Sequence, residues 1–396
     1  MKRIAVIFEG NIDYRMGVLN AVINRVKHLQ ALAPYAIDVF MIQVYDQGLC
    51  RLRPHSAPAS HRPQQVVMGG VPVKMWWVSR SWRDSLSHRL LGGKPHVMMS
   101  QFKSLAMQLK GYSIVSAHDR LAALAAQAAS AAFGMPWFIT WHGASIYTDP
   151  INDKMVRGLT IGLLHSATCN FFVSHSLADC ARNLTGRFAC DVLYNGVSPD
   201  FHRYETEQRK ALRASMGASR CKVVAYVGRF EPVKNVQLLP AIFSAIGKKH
   251  HGDIQFWAIG DGSLHQDTKA ALGQSGPDCH VWGKQAPEAM PRLMNCIDVL
   301  VLPSQREGLP LVTIEAMACG ANVVASQVAG TAEAIGKENC FELNDHFVER
   351  LAARAEEMLA GKVKQEVPEQ CYWEKTALKE HEIYRRYLLS PQKSLS

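Results

Sequence analysis

The chain contains no Cys-x-x-Cys. Its ten cysteines stand singly, Cys169, Cys180, Cys190 and Cys221 among them, and structural zinc is not expected of that spacing. With no export signal, such a scatter points to reduced thiols in a cytosol. Asp-x-Asp occurs nowhere, so a carboxylate pair holding a divalent cation in that form is absent. No run approaches the roughly 18–20 apolar residues that span a bilayer. The opening MKRIAVIFEGN has only a short apolar run before Glu9; it reads as a first strand and not as a signal peptide. One region is poor in acid: residues 46–110 hold ten Lys and Arg against Asp46 and Asp84.

What is present is an ordinary globular composition. With 396 residues, 48% of them hydrophobic, the chain should hold two domains. A formal net charge of +10 implies attraction to nucleotide phosphates, nucleic acid or an anionic membrane. Nucleic acid fits least, because no recognised nucleic-acid motif accompanies the charge. In the acid-poor region Trp76, Trp77 and Trp82 lie among Lys74, Arg80, Arg83, Arg89 and Lys94. Indole rings beside cations suit the headgroup layer of an anionic membrane, which would place the protein peripherally on the inner face of the cytoplasmic membrane through residues 74–94. A solvated basic face over core tryptophans is the alternative.

Strand and helix patterns alternate along the chain. Ile4 to Phe8 reads as a strand and Val18 to Leu29 as a helix, with Gly17 at the helix start, where bare amides can approach a phosphate; a tight turn without ligand is the other reading. Short strands follow at Val39–Val44, Ser113–Ala117, Trp137–Thr140, Phe171–Val173 and Val192–Tyr194. His118 and His142 fall just past two successive strand ends. A histidine so placed is often structural, but two together, one followed by Gly143, make His142 a candidate functional residue and His118 a possible acceptor or sugar contact.

After the turn Asn195-Gly196-Val197 and a polar linker, a second series begins: Val223–Val227, Gln255–Ile259, His280–Trp282, Asp298–Leu302 and Asn322–Ala325. Two such series predict an α/β protein of two doubly wound parallel-sheet, Rossmann-like domains facing each other across a cleft. The domains are expected at 1–197 and 198–372.

Ligands of open α/β sheets bind at the C-terminal ends of the strands. There Arg229 and Lys234 combine a guanidinium fork, an ammonium and the amides of a helix start, a ready diphosphate site whose charge could replace a metal. A surface ion pair with Glu231 is the alternative. Glu307, in the loop after the Asp298–Leu302 strand, is placed for a sugar hydroxyl. Glu315, on the following helix, can hold a ribose diol, or merely complement the helix dipole. Gly260-Asp261-Gly262 alone is a common turn and carries little.

Together VGRFEPVKN, AIGDGS, WGK and EGLPLVTIEAMACGANVVAS resemble the retaining glycosyltransferases of family 4, which have the GT-B fold. Glu307 and Glu315, with seven residues between them, match that family's E-x7-E motif. The likeness is strong over 221–343, fair at FEGNIDYRMG, ITWHG and YNGV, and faint over 46–110, where such enzymes bind their acceptors. Met16-Gly17 stands where the family often has two glycines.

The resemblance implies that Arg229 and Lys234 hold a donor diphosphate near the Gly17 amides and that Glu315 binds the ribose. Glu307 with Gly308, Leu309 and Pro310 would hold the donor sugar, and His142 would face the anomeric centre. The last helix, from Trp373, would cross back onto the N-terminal domain. It implies no cofactor and no metal: a sugar would pass from a nucleotide diphosphate to a growing glycan or lipid-linked acceptor, as in bacterial surface polysaccharide synthesis. A nucleotide-sugar epimerase of similar architecture, or an inactive partner subunit, are the alternatives.

Overall fold

The computed structural model describes residues 2–12, 17–46, 62–80, 96–248, 253–274 and 279–389. The chain divides into two compact units, Met1–Tyr194 with Trp373–Ser396, and Asn195–Tyr372. No helix among the described residues is long and apolar enough to cross a membrane.

The first unit is built on an eight-stranded sheet of β1 (Arg3–Glu9), β2 (Ala36–Asp46), β3 (Gln65–Met68), β4 (Val71–Arg80), β5 (Ile114–His118), β6 (Trp137–Trp141), β7 (Cys169–Phe172) and β8 (Cys190–Val192). The order is β3-β4-β2-β1-β5-β6-β7-β8, and only the β3–β4 pair is antiparallel. Strands covered on both faces read as unbroken apolar runs. Ile4 to Phe8 in β1 are accordingly all buried, as is every residue of β5 and β6. The helix Gly17–Leu32 lays Leu19, Val22, Ile23, Val26 and Leu29 on this sheet. Its neighbour from the far end of the chain is the helix Trp373–Leu389, whose Ala377, Ile383 and Tyr384 join the same core.

The acid-poor region differs from its sequence reading. Residues 65–80 form a hairpin turned by Gly69 and Gly70, at φ 55° and 82°, values that suit glycine. β4 then lies inside the sheet, between β2 and β3. Trp76 is therefore core, 4% exposed, with its indole N–H donated to Gln108. Trp77 is half-buried and bonds the Pro63 carbonyl, while Lys74 pairs with Asp38 at 2.7 Å. Trp76 packs on Phe40 of β2, their ring centroids 4.6 Å apart. Trp82, Arg83, Arg89 and Lys94 lie outside the described residues, as does Met16.

The second unit carries a six-stranded parallel sheet of β9 (Lys222–Val227), β10 (Ile254–Ile259), β11 (Cys279–Gly283), β12 (Val299–Leu302), β13 (Asn322–Ser326) and β14 (Cys340–Phe341), in the order β11-β10-β9-β12-β13-β14. The order reverses between β9 and β12. The loops that leave these two central strands hold Arg229, Lys234 and Glu307.

Candidate active site

The loop after β9 is packed before it is charged. Tyr226, wholly buried, donates its phenol O–H to the Arg229 carbonyl at 2.8 Å. Phe230 N–H bonds the Asp261 carbonyl, and Leu264 N–H bonds the Phe230 carbonyl, at 2.9 and 2.8 Å. Glycine makes this approach possible: a Cβ on Gly260 would fall 1.8 Å from the Gly228 carbonyl oxygen, and one on Gly262 2.5 Å from that of Phe230. The Gly260-Asp261-Gly262 turn thus seats the Arg229–Lys234 loop. Ser263 completes the seat, its hydroxyl and amide bonding Glu231 at 2.7 and 3.2 Å. Asn235 ends the loop in the left-handed region at φ 57°, which asparagine tolerates better than most residues.

The loop after β12 docks on this first loop. Gln305 N–H bonds the Val233 carbonyl at 2.9 Å, and Lys234 Nζ reaches Glu307 Oε1 at 2.6 Å. Both side chains are largely buried, 18% and 9% exposed. Lys234 therefore pairs with Glu307 and not with Glu231, whose carboxylate faces Ser263. Arg229 is exposed on the same loop, with no ion pair among the described residues. Gly308, Leu309 and Pro310 are buried, and the Leu309 carbonyl is held by Asn195 Nδ2 at 3.3 Å. Pro310 caps the helix Leu311–Ala318, leaving the first amides of that helix without intrahelical partners.

Glu315 lies one turn further on, half-buried, and burial pushes its carboxyl up to about 7. Among the described residues no hydrogen bond satisfies it. Two hydroxyls at the same sheet edge, Ser304 after β12 and Thr331 after β13, are likewise buried without partners. A diol or phosphate oxygen would satisfy such groups. Among the described residues no group of three or more His, Cys, Asp or Glu side chains is placed to hold a metal ion.

In the first unit β5 and β6 bring the two histidines together. His118 Nδ1 and His142 Nε2 are 3.0 Å apart, with the rings 22° from parallel. His118 is buried, so its ring meets His142 before any ligand. Burial first, then the nearby Arg25 charge, hold the His142 imidazole down to about 3, and the same causes with His142 itself keep His118 well below its ordinary value. The pair is thus neutral at any physiological pH. Asp119 accepts the His142 backbone N–H at 3.3 Å from a left-handed backbone, φ 63°, a strained state that clusters at functional sites. Gly17 begins its helix as expected, but a side chain there would meet nothing within 4 Å among the described atoms.

An open parallel sheet with a cation–carboxylate pair and an unsatisfied carboxyl at its switch point defines a nucleotide-binding α/β protein of the GT-B class. The solved structures agree on that fold. Sucrose-phosphate synthase from Thermosynechococcus elongatus superposes with a TM-score of 0.72 at 18% identity, over 98% of this chain and 99% of that one. HepE of Anabaena, in complex with UDP and glucose, gives 0.65 at 16% over 97% and 95%. Residues 221–361 match the family model described as Glycosyl transferases group 1. A sequence relative, described as the putative teichuronic acid biosynthesis glycosyltransferase TuaC of Bacillus subtilis, is 25% identical over 74% of this chain and 72% of its own. Over residues 221–361 the chain is thus similar to the group 1 glycosyl transferases.

Proposed function

We propose that this protein is a retaining, metal-independent glycosyltransferase of family 4. It moves a sugar from a nucleotide diphosphate to a growing glycan or lipid-linked acceptor in bacterial surface polysaccharide synthesis. The observation that carries the reading is the Lys234–Glu307 contact of 2.6 Å, which joins the phosphate-type loop after β9 to the hydroxyl-type loop after β12. Arg229 and Lys234 neutralise the leaving diphosphate, Glu307 with Gly308 to Pro310 holds the sugar, and Glu315 accepts the ribose hydroxyls. Charge built into the protein in this way stabilises the transition state without reorganising at the moment of reaction. His142 acts at the sugar as a neutral imidazole, which does not oppose the positive charge that develops on an oxocarbenium-like ring. The sugar then leaves and is received on one face, with no glycosyl-enzyme intermediate.

The test combines three measurements on the purified chain. Thermal shifts across UDP-, GDP-, ADP- and dTDP-sugars identify the donor, since a true donor raises the melting temperature by mass action. Turnover unchanged in EDTA supports metal independence, and loss of turnover restored by a divalent cation rejects it. Proton NMR of the first product reports its anomeric configuration: inversion of the donor configuration would overturn the retaining assignment. Docking on an anionic membrane surface through the basic residues of 74–94 belongs to the same proposal, on charge alone.

A further inference from the structure

An arginine interrupts the apolar stripe of the first helix. Arg25 sits between Val22 and Val26, both buried on the sheet, where an unpaired guanidinium would be strongly unfavourable. Its partner comes from the opposite end of the sequence. Arg25 Nε donates to Glu380 on the helix Trp373–Leu389, the two side chains 5% and 2% exposed. The Tyr384 hydroxyl donates to the other carboxylate oxygen of Glu380. On its far side Arg25 Nη1 donates to Thr140 Oγ1 at 2.8 Å, while Nη2 is buried without a partner.

Thr140 connects this pair to the histidines. It pairs in register with His118 across β5 and β6, and it precedes His142 by two residues. One chain of contacts therefore runs from Glu380 through Arg25 and Thr140 to the strand ends that carry His118 and His142. Asp119 on the following helix holds His142 from the other side, through its backbone N–H. A mispositioned ring at such a site costs orders of magnitude in rate with little effect on binding.

We propose that Arg25, locked by Glu380 of the C-terminal helix, is a positioning residue for the His118–His142 pair. It fixes Thr140, and with it the ring orientation that His142 presents. The proposal rests on the reading of His142 as a group acting at the donor sugar. A structural consequence is that the site in the first unit is complete only when the final helix has packed against the first.

The test uses Thr140→Val, which keeps shape and the ion pair but cuts the link, and Glu380→Gln, which keeps shape but removes the charge. Arg25 itself is left intact, because its loss could unfold the unit. Melting curves establish that each variant is folded. Histidine side-chain 15N–1H correlation spectra, assigned with His118→Asn and His142→Gln, then report tautomer and orientation directly. In the wild type each ring of the pair should hold one tautomer from pH 5 to 8. In folded Thr140→Val the His142 signals should report a tautomer mixture, with kcat lowered at least tenfold and donor KM within twofold. Wild-type spectra and kcat in both folded variants would overturn the proposal. A tautomer change in a chain that turns over no nucleotide sugar would keep the positioning role and instead reject the transferase reading.

Discussion

Lys234 Nζ lies 2.6 Å from Glu307 Oε1, joining loops 73 residues apart in the chain. The cation assigned to the diphosphate and the carboxylate assigned to the sugar satisfy each other, so each orders the other. Removing either strips a largely buried charge of this partner, which should destabilise the unit by about 1–3 kcal/mol. Lys234→Ala and Glu307→Ala should each lower kcat/KM by roughly a hundredfold or more. The double variant should be little worse than the poorer single one, because residues acting as a unit are not additive. Losses that simply multiply in the double variant would make them independent sites.

The seat beneath Arg229 predicts a severe effect from one methyl group. Gly260 has φ 140°, and its Cβ would stand 1.8 Å from the Gly228 carbonyl oxygen. Backbone cannot swing aside as a side chain can. Gly260→Ala should therefore cost several kcal/mol, at the severe end of single substitutions. Gly273→Ala, on the surface of the next helix with nothing within 4 Å of its Cβ, should be neutral or slightly stabilising. Chemical denaturation compares them; equal midpoints would show that the turn is not closed as described.

Both sheets were legible in the sequence because buried parallel strands read as apolar runs and their ends carry Gly or charge. Glu307 and Glu315 were legible too, since they lie on one strand-loop-helix segment. The strand β4 was not: in KMWWVSR the Lys, Arg and Trp residues outweighed the alternation, and only the Gly69-Gly70 turn would have announced a hairpin. The pairing of Lys234 with Glu307 was not legible, because the two are far apart in sequence and are brought close by the pairing of β9 with β12. Arg25 could have drawn notice as a charge within a Val-lined stripe. Glu380 could not, since nothing local marks a carboxylate 355 residues away as its partner.

Two tryptophan regions that look alike in sequence should respond differently. Trp76 is buried in the sheet, so Trp76→Ala should destabilise the first unit by about 3–5 kcal/mol without a specific effect on vesicles. Neutralising Arg80, Arg83 and Arg89 together should weaken binding to anionic liposomes. Surface attraction of this kind contributes about 1 kcal/mol per basic residue and fades with salt. Co-sedimentation at low and high salt measures both. Binding that ignores salt and these three arginines would remove the membrane assignment.

Glu315 makes donor binding a function of pH, with a sign that can be worked out. Its carboxyl is held up to about 7 by burial, above an ordinary value of 4.5. Ribose hydroxyls donate to the ionised form, so below about pH 7 binding must first expel a proton. A nucleotide-diphosphate sugar has no ionisation of its own in this range, which makes it a cleaner probe than the free nucleotide. Its Kd should therefore weaken by about tenfold from pH 8 to pH 6, with protons released on binding near pH 6.5. Without ligand the same group acts in the opposite direction. A carboxyl whose folded value is raised contributes stability that is present below 4.5 and lost as pH rises through about 7, so the wild type should lose stability over that interval relative to Glu315→Gln. Calorimetric titration in two buffers of different ionisation enthalpy counts the protons, and Glu315→Gln should flatten both profiles. A Kd independent of pH from 6 to 8 in the wild type would mean that Glu315 does not receive the ribose.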